Sequence, residues 1–235
     1  MIRLFFLVLL WLPIVICADD QPWKKALAKM PLPEDVSLLT RTNMSKVLLG
    51  SFNEHSEVKS LILMPGYTDE FYFFRRAEVS LPEGKSTMLD AVTAMTNQTR
   101  VIVKWLPPHL ILHAPEDPKK PQITSNYDKA TKRLKSRPFL KEFTFNDHDW
   151  DHIQPILEDE FSTWVRPVGG TSDSWHFFRH AVKGWNLTQW EALEAISLAN
   201  KTVVTVKKAG IFGGTRIQFD GDLRGTALEK HQKGR

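Results

Sequence analysis

GYTDEFYFFRRAEVSLPEGKSTMLDAVTAMTNQTRVIVKW, residues 66–105, is answered by GTSDSWHFFRHAVKGWNLTQWEALEAISLANKTVVTVKK, residues 170–208. At an offset of 104 residues, eight of the 27 positions from 66 to 92 are identical: Gly66/Gly170, Asp69/Asp173, Phe73/Phe177, Phe74/Phe178, Arg75/Arg179, Ala77/Ala181, Leu89/Leu193 and Ala91/Ala195. One residue is then lost near the end of a helical pattern, and the match resumes as Asn97/Asn200, Thr99/Thr202, Val101/Val204 and Val103/Val206. The stretch reads as one module used twice.

Working outward, each copy predicts the same order of elements. In the first, Asn43 is placed to cap a helix through about Phe52, and Val58 to Met64 is an apolar strand ending at the Pro65-Gly66 turn signal. Phe71 to Leu81 is aromatic and β-branched, as a strand requires. Ser86 or Thr87 opens a helix to about Thr96, which Asn97 ends in a left-handed conformation. Strands at 99–105 and 110–114 flank Pro107-Pro108. In the second copy, Asn146 caps an acidic helix to about Phe161 that Pro155 must kink or restart. Strands at 164–168 and 175–183 follow, then a helix opened by the capping box Thr188-Gln189-Trp190-Glu191, then strands at 202–206 and 211–219. The expected fold is α+β: two tandem α-β-β-α-β-β units, residues 43–114 and 145–220, with helices on small sheets.

Residues 19–42 read as an N-terminal arm with a short basic helix stopped by Pro31 and Pro33, 115–144 as a basic linker with one exposed helix near 127–135, and 221–235 as a polar tail. Residues 1–18 read as a signal peptide: Arg3, an apolar run to Ala18 interrupted by Pro13, then Asp19-Asp20. The run is too short to span a bilayer, so no membrane span is expected after cleavage near Cys17 or Ala18. Cleavage there removes the single cysteine, and with it disulfides, thiolate metal sites and cysteine nucleophiles. A cysteine-free exported chain points to a bacterial envelope, periplasmic or extracellular. Lys and Arg total 31 against 27 Asp and Glu. That balance prescribes no polyanion, and no nucleic-acid partner is expected. Charge is nonetheless segregated, with a basic stretch at 116–141 followed by an acidic one at 142–160.

The helices LDAVTAM (89–95) and EALEAISLA (191–199), each followed by an Asn-containing turn and a β-branched strand, resemble the short N-terminal domain of secretins and TonB-dependent receptors. The resemblance covers about 35 residues of each copy. It implies an α+β envelope module that docks onto other proteins, without catalysis or cofactor.

Candidate functional residues fall in three groups. Phe74, Arg75, Phe178 and Arg179 recur in both copies; one ring of each Phe-Phe pair must be covered by a helix, the sister copy or a partner, and the arginines can grip an anion. The seam between copies is thus the expected working surface, with an envelope protein as partner. Trp150, Trp164, Trp175, Trp185 and Trp190 cluster in sequence, and an exposed row of them, Trp175 and Trp185 foremost, would suit a carbohydrate-binding module. His148 and His152, one turn apart if helical, would suit a metal-dependent hydrolase. His109, His113, His176 and His180 have the same spacing on strands, where it separates them by roughly 13 Å, and read as strand or rim residues. Sequons begin at Asn43, Asn97, Asn186 and Asn200. There is no nucleophile elbow, phosphate loop, dinucleotide fingerprint or calcium loop.

Overall fold

The computed structural model describes residues 21–40, 42–63, 78–84, 86–113, 122–148, 150–168, 180–200, 202–209 and 214–221. The described elements of the first half are α1 (Pro22–Leu27), β1 (Leu38–Leu39), α2 (Met44–Ser51), β2 (Ser60–Leu63), β3 (Val79–Ser80), α3 (Met88–Gln98), β4 (Ile102–Leu106) and β5 (His109–His113). Those of the second are β6 (Gln122–Ser125), α4 (Asp128–Ser136), β7 (Glu142–His148), α5 (Trp150–Phe161), β8 (Trp164–Val168), β9 (His180–Trp185), α6 (Gln189–Asn200), β10 (Thr202–Ala209) and β11 (Gly214–Gly221). The chain is mixed α/β, with strands in three open sheets ordered β1-β3, β4-β5-β2-β9-β7 and β6-β10-β11-β8.

The five-stranded sheet is the partition of the molecule. Every residue of β2 and β5 is buried, which a strand tolerates only when both faces are covered. Leu61, Leu63, Leu110 and Leu112 enter one apolar cluster with Trp23 and Leu27 of α1, Leu48 of α2, and Met88 and Met95 of α3. Ile62 and Ile111 point the other way, into a cluster built from α4, α5, α6 and the four-stranded sheet. Each such isoleucine contributes about 1.5–3 kcal/mol by leaving water.

The two halves share one sheet. Strand β2 of the first half pairs in parallel with β5 and antiparallel with β9 of the second half, so one sheet crosses the expected boundary. Helix α6 then packs on β2 and β9 of this sheet and on β10 and β6 of the other. Layered between two sheets, it has apolar residues on more than one side, including Leu193, Ile196, Leu198 and Ala199. An EALEAISLAN segment is apolar enough all round for that place.

Other boundaries also shift. The described part of the expected linker carries β6, α4 and the start of β7, and α4 is not simply exposed: Ala130 and Leu134, one turn apart, are buried against the second cluster. The N-terminal arm belongs to the core through Trp23, Leu27, Met30 and Leu32. Asn146 does not stand at the start of the acidic helix: it lies in β7, and the helix begins only at Trp150, running on through Pro155. Asn43 does precede α2, but its side chain turns back, accepting from Thr40 N–H at 2.7 Å and donating to Leu38 C=O at 3.0 Å. Asn97 lies inside α3, which ends in an extended Thr99; among the described residues the non-glycine positive φ values belong to Ser162 and Asn186. The signal segment, most of the 71–81 strand and the polar tail lie outside the described residues.

Within this shared core the same pairings occur twice. β2 is parallel to β5 and β4 antiparallel to β5; β8 is parallel to β11 and β10 antiparallel to β11. β1 pairs antiparallel with β3, and β7 with β9. Both Ala/Leu helices open with a capping box. Thr87 N–H donates to Asp90 at 2.7 Å and Asp90 N–H to Thr87 Oγ1 at 3.3 Å; Thr188 N–H donates to Glu191 at 2.7 Å and Glu191 N–H to Thr188 Oγ1 at 3.2 Å. Just beyond each cap the chain is clamped to an upstream proline segment, Leu32 N–H to Ser86 C=O at 2.9 Å and Phe139 N–H to Leu187 C=O at 2.8 Å.

Candidate functional site

The residues singled out in the sequence are distributed unevenly. Phe74, Arg75, Trp175, Phe178 and Arg179 lie outside the described residues. Trp185, in β9, is half-buried against the first cluster, with Lys183 Nζ 5.3 Å from its ring, and its buried indole N–H has no hydrogen-bond partner among the described residues. It packs within the fold instead of lining a surface. His148 closes strand β7 whereas His152 lies on α5, so the helical spacing that recommended the pair as metal ligands does not hold. His148 extends the β7 pairing with β9 past an irregularity at Asp147, and that competition takes the segment away from the helix. Among the described residues no three His, Asp or Glu side chains gather in a way that would hold a metal ion.

The seam between halves, expected to be open to a partner, is filled where it is described. Trp185 N–H donates to Lys59 C=O at 2.8 Å, Lys59 Nζ stands 3.6 Å from Glu191, and the Asn186 amide donates to the Glu54 carboxylate. Lys183, buried in β9, ion-pairs with Glu142 of β7 at 3.1 Å. Deeper in the seam, Ser60 Oγ and His109 Nδ1 are 2.7 Å apart, and His109 Nε2 lies 3.5 Å from Glu194 of α6. Glu194 is held from its other oxygen by the Trp190 indole N–H at 2.8 Å.

A serine, a histidine and a carboxylate in series resemble a nucleophilic relay. The geometry argues for a structural tie instead. Ser60 is fully buried in the middle of a sheet, so no substrate carbonyl can reach its Oγ. His109, read as a strand or rim residue, opens β5 and is 2 % exposed. Ser60 and His109 Nδ1 satisfy each other where α6 crosses the first-half sheet, while His109 Nε2, facing Glu194 at 3.5 Å, makes no hydrogen bond among the described residues.

The surface that does face outward is the second sheet. In β8, Val165 points into the core and Trp164 and Arg166 point away; in β11, Ile217 and Phe219 point in and Arg216 and Gln218 point away. Trp164 is 58 % exposed, the most open large apolar side chain among the described residues. The Arg166 guanidinium lies 4.4 Å from its ring centroid and that of Arg216 5.9 Å. Arg216 is opposite Trp164 on one side and opposite Lys207 of β10 on the other, so an indole and two cations form a row across three strands. The next row is Arg166, Gln218, Thr205 and Thr124, the two threonine hydroxyls 3.3 Å apart. Asp220 closes the far end of β11. Neither arginine is ion-paired among the described residues.

The sequence reading missed Arg166 and Arg216; the alternation of WVRPV and TRIQFD is the signal that could have put them and Trp164 on outward faces. What the sequence lacked was the parallel pairing of β8 with β11, which sets the two outward faces side by side. No family model, curated protein or solved structure matched the chain.

Proposed function

We propose that this chain is an exported, non-catalytic binding module of the bacterial cell envelope, built from two copies of an ancestral α+β unit, and that it binds through the outer face of β6-β10-β11-β8. The observation that carries this reading is the exposed Trp164 flanked by Arg166 and Arg216 on an outward, largely polar sheet face whose other apolar residues, Val168 and Val203, are half-buried. Leaving a tryptophan in water forgoes burial worth a few kcal/mol, and such aromatic and arginine groupings are the usual anchors of binding surfaces. The polar clusters that would suit chemistry are, by contrast, consumed within the fold: Ser60, His109 and Glu194 tie α6 to the sheet, and Lys183 is neutralised by Glu142. The twofold recurrence of strand pairings and capped helices supports the duplication. The likeness of the two Ala/Leu helices to the short domain of secretins and TonB-dependent receptors fits an envelope role.

The test is retention of the purified chain, residues 19–235, on the native envelope fraction. Wild-type protein should be retained and Trp164→Ala/Arg216→Ala should not, with both showing the same circular dichroism and melting temperature. Equal retention of the two proteins, or retention of neither, would refute the assignment of the binding face.

A further inference from the structure

The chemistry of this face goes further than binding as such. We infer that the β8-β11-β10 face is a site for an acidic polysaccharide, with Trp164 stacking on a sugar ring and Arg166 and Arg216 together holding its carboxylate. The inference rests on the binding face proposed above and supplies its ligand class.

Three features carry it. The first is charge complementarity. Arg166, Arg216 and Lys207 bring three cations to one corner of an exposed sheet, and neither arginine has an acidic partner among the described residues. A guanidinium stacked on an indole keeps its N–H edges free, and those edges match a carboxylate in bidentate geometry. The second is shape. The site is a flat sheet face whose strands lie about 4.8 Å apart, with its functional side chains in transverse rows. Such a surface accommodates an extended chain crossing the strands.

The third is the sparseness of large apolar groups. The core of a protein-protein interface is dominated by several apolar anchors, whereas the outward rows here present one indole beside the three cations, Gln218, Thr205 and Thr124, with only the half-buried Val168 and Val203 in the row beyond. Amide and hydroxyl groups of that kind suit sugar hydroxyls. Single-stranded nucleic acid would also stack on Trp164, but it carries a charge at every phosphate and is tracked by a continuous basic groove. Here the cations are confined to one corner, and Asp220 stands at the other end of β11. A polymer of hydroxylated rings with intermittent carboxylates matches that pattern better.

The probe is polygalacturonate, compared with its fully methyl-esterified, uncharged form, using the chain 19–235 in calorimetry and affinity electrophoresis. Binding to the acid form is expected, together with quenching of Trp fluorescence that Trp164→Phe diminishes and a decline in affinity with added salt. Arg216→Gln and Arg166→Gln, exposed changes that leave the core untouched, should each weaken binding roughly tenfold or more. Equal affinity for the esterified polymer would overturn the carboxylate assignment, and unchanged affinity in the arginine variants would overturn the site. Tighter binding of single-stranded DNA or of an acidic protein at the same salt would overturn the ligand class. If wild-type protein is retained by the envelope fraction yet ignores polygalacturonate, this inference alone falls; if it does neither, the binding face falls with it.

Discussion

Ser60, Ile62, His109 and Ile111 stand on two parallel strands of the first half where Trp164, Arg166, Arg216 and Gln218 stand on the corresponding strands of the second. In each half the opposite face of the strand pair is covered by that half's own helices, through Leu61 and Leu110 in one and Val165 and Ile217 in the other. The outer faces differ. That of the first half carries Ile62 and Ile111 beside the hydrogen-bonded Ser60 and His109, all buried, and α6 lies on it; that of the second is large, cationic and exposed. In a stack of similar layers the internal face must be apolar to be buried, and the terminal face must be polar to remain soluble. The terminal face is thereby free to acquire a ligand, whereas the internal one is committed to holding the halves together.

This contrast predicts unequal consequences for changes at matching positions. The largest effect is expected from Ile111→Ala, which should destabilise the protein by about 2–5 kcal/mol through lost burial and a residual cavity, while Gln218→Ala should stay within about 0.5 kcal/mol. Urea unfolding monitored by fluorescence checks both. Similar losses at the two sites would mean that the outer faces are not differently used. Because Ile111 belongs to the cluster formed mostly by the second half, its loss should shift one cooperative transition, and a second, separate transition would show that the halves unfold independently.

Gly184 sharpens the same point one strand further along, beside Ser60 in the shared sheet. A Cβ there would lie within 3.0 Å of the Phe143 ring and of Leu187 Cδ1. Gly184→Ala should therefore cost about 1–3 kcal/mol by overpacking. Thermal melting would measure it, and a neutral result would indicate that β9 joins the sheet more loosely than its register implies. Smaller effects than these core changes belong to the two helix caps. Thr87→Ala and Thr188→Ala should each cost roughly 0.5–2 kcal/mol, and the double variant should approach their sum because the caps share no partner. Strong non-additivity would reveal coupling between the halves at their helix starts.

The local grammar of the chain was legible from residues alone. Thr87 and Thr188 with their acidic partners three residues on mark the helix starts, Pro107-Pro108 marks the turn between β4 and β5, and WVRPV alternates as a strand with one face inward. Each of these depends on neighbours within a few positions. Residues near 142–148 misled because FTFNDHDW is compatible with a cap and an acidic helix as well as with a strand, and only pairing with β9 favours the strand. The candidate site divides in the same way: that Trp164 and Arg166 share a face follows from the two-residue period, but that Arg216 lies beside them follows from a pairing across 52 residues. Likewise the spacing of Leu193, Ile196 and Ala199 gives α6 an inward face, but burial of Leu198 and Ala195 as well follows only from its place between two sheets.

By itself, then, the order of residues determined the helices, the alternating strands, the twice-used pattern and the absence of thiol chemistry beyond Cys17, because these are set by local sterics, periodicity and composition. Only the tertiary structure decided that β2 pairs with β9, that α6 is buried between two sheets, and that one outer sheet face is buried while its counterpart is open. The physical reason is that strand pairing is satisfied by backbone groups common to every residue. The choice of partner is made by which apolar faces can be buried together, a property of the whole chain and not of any one segment.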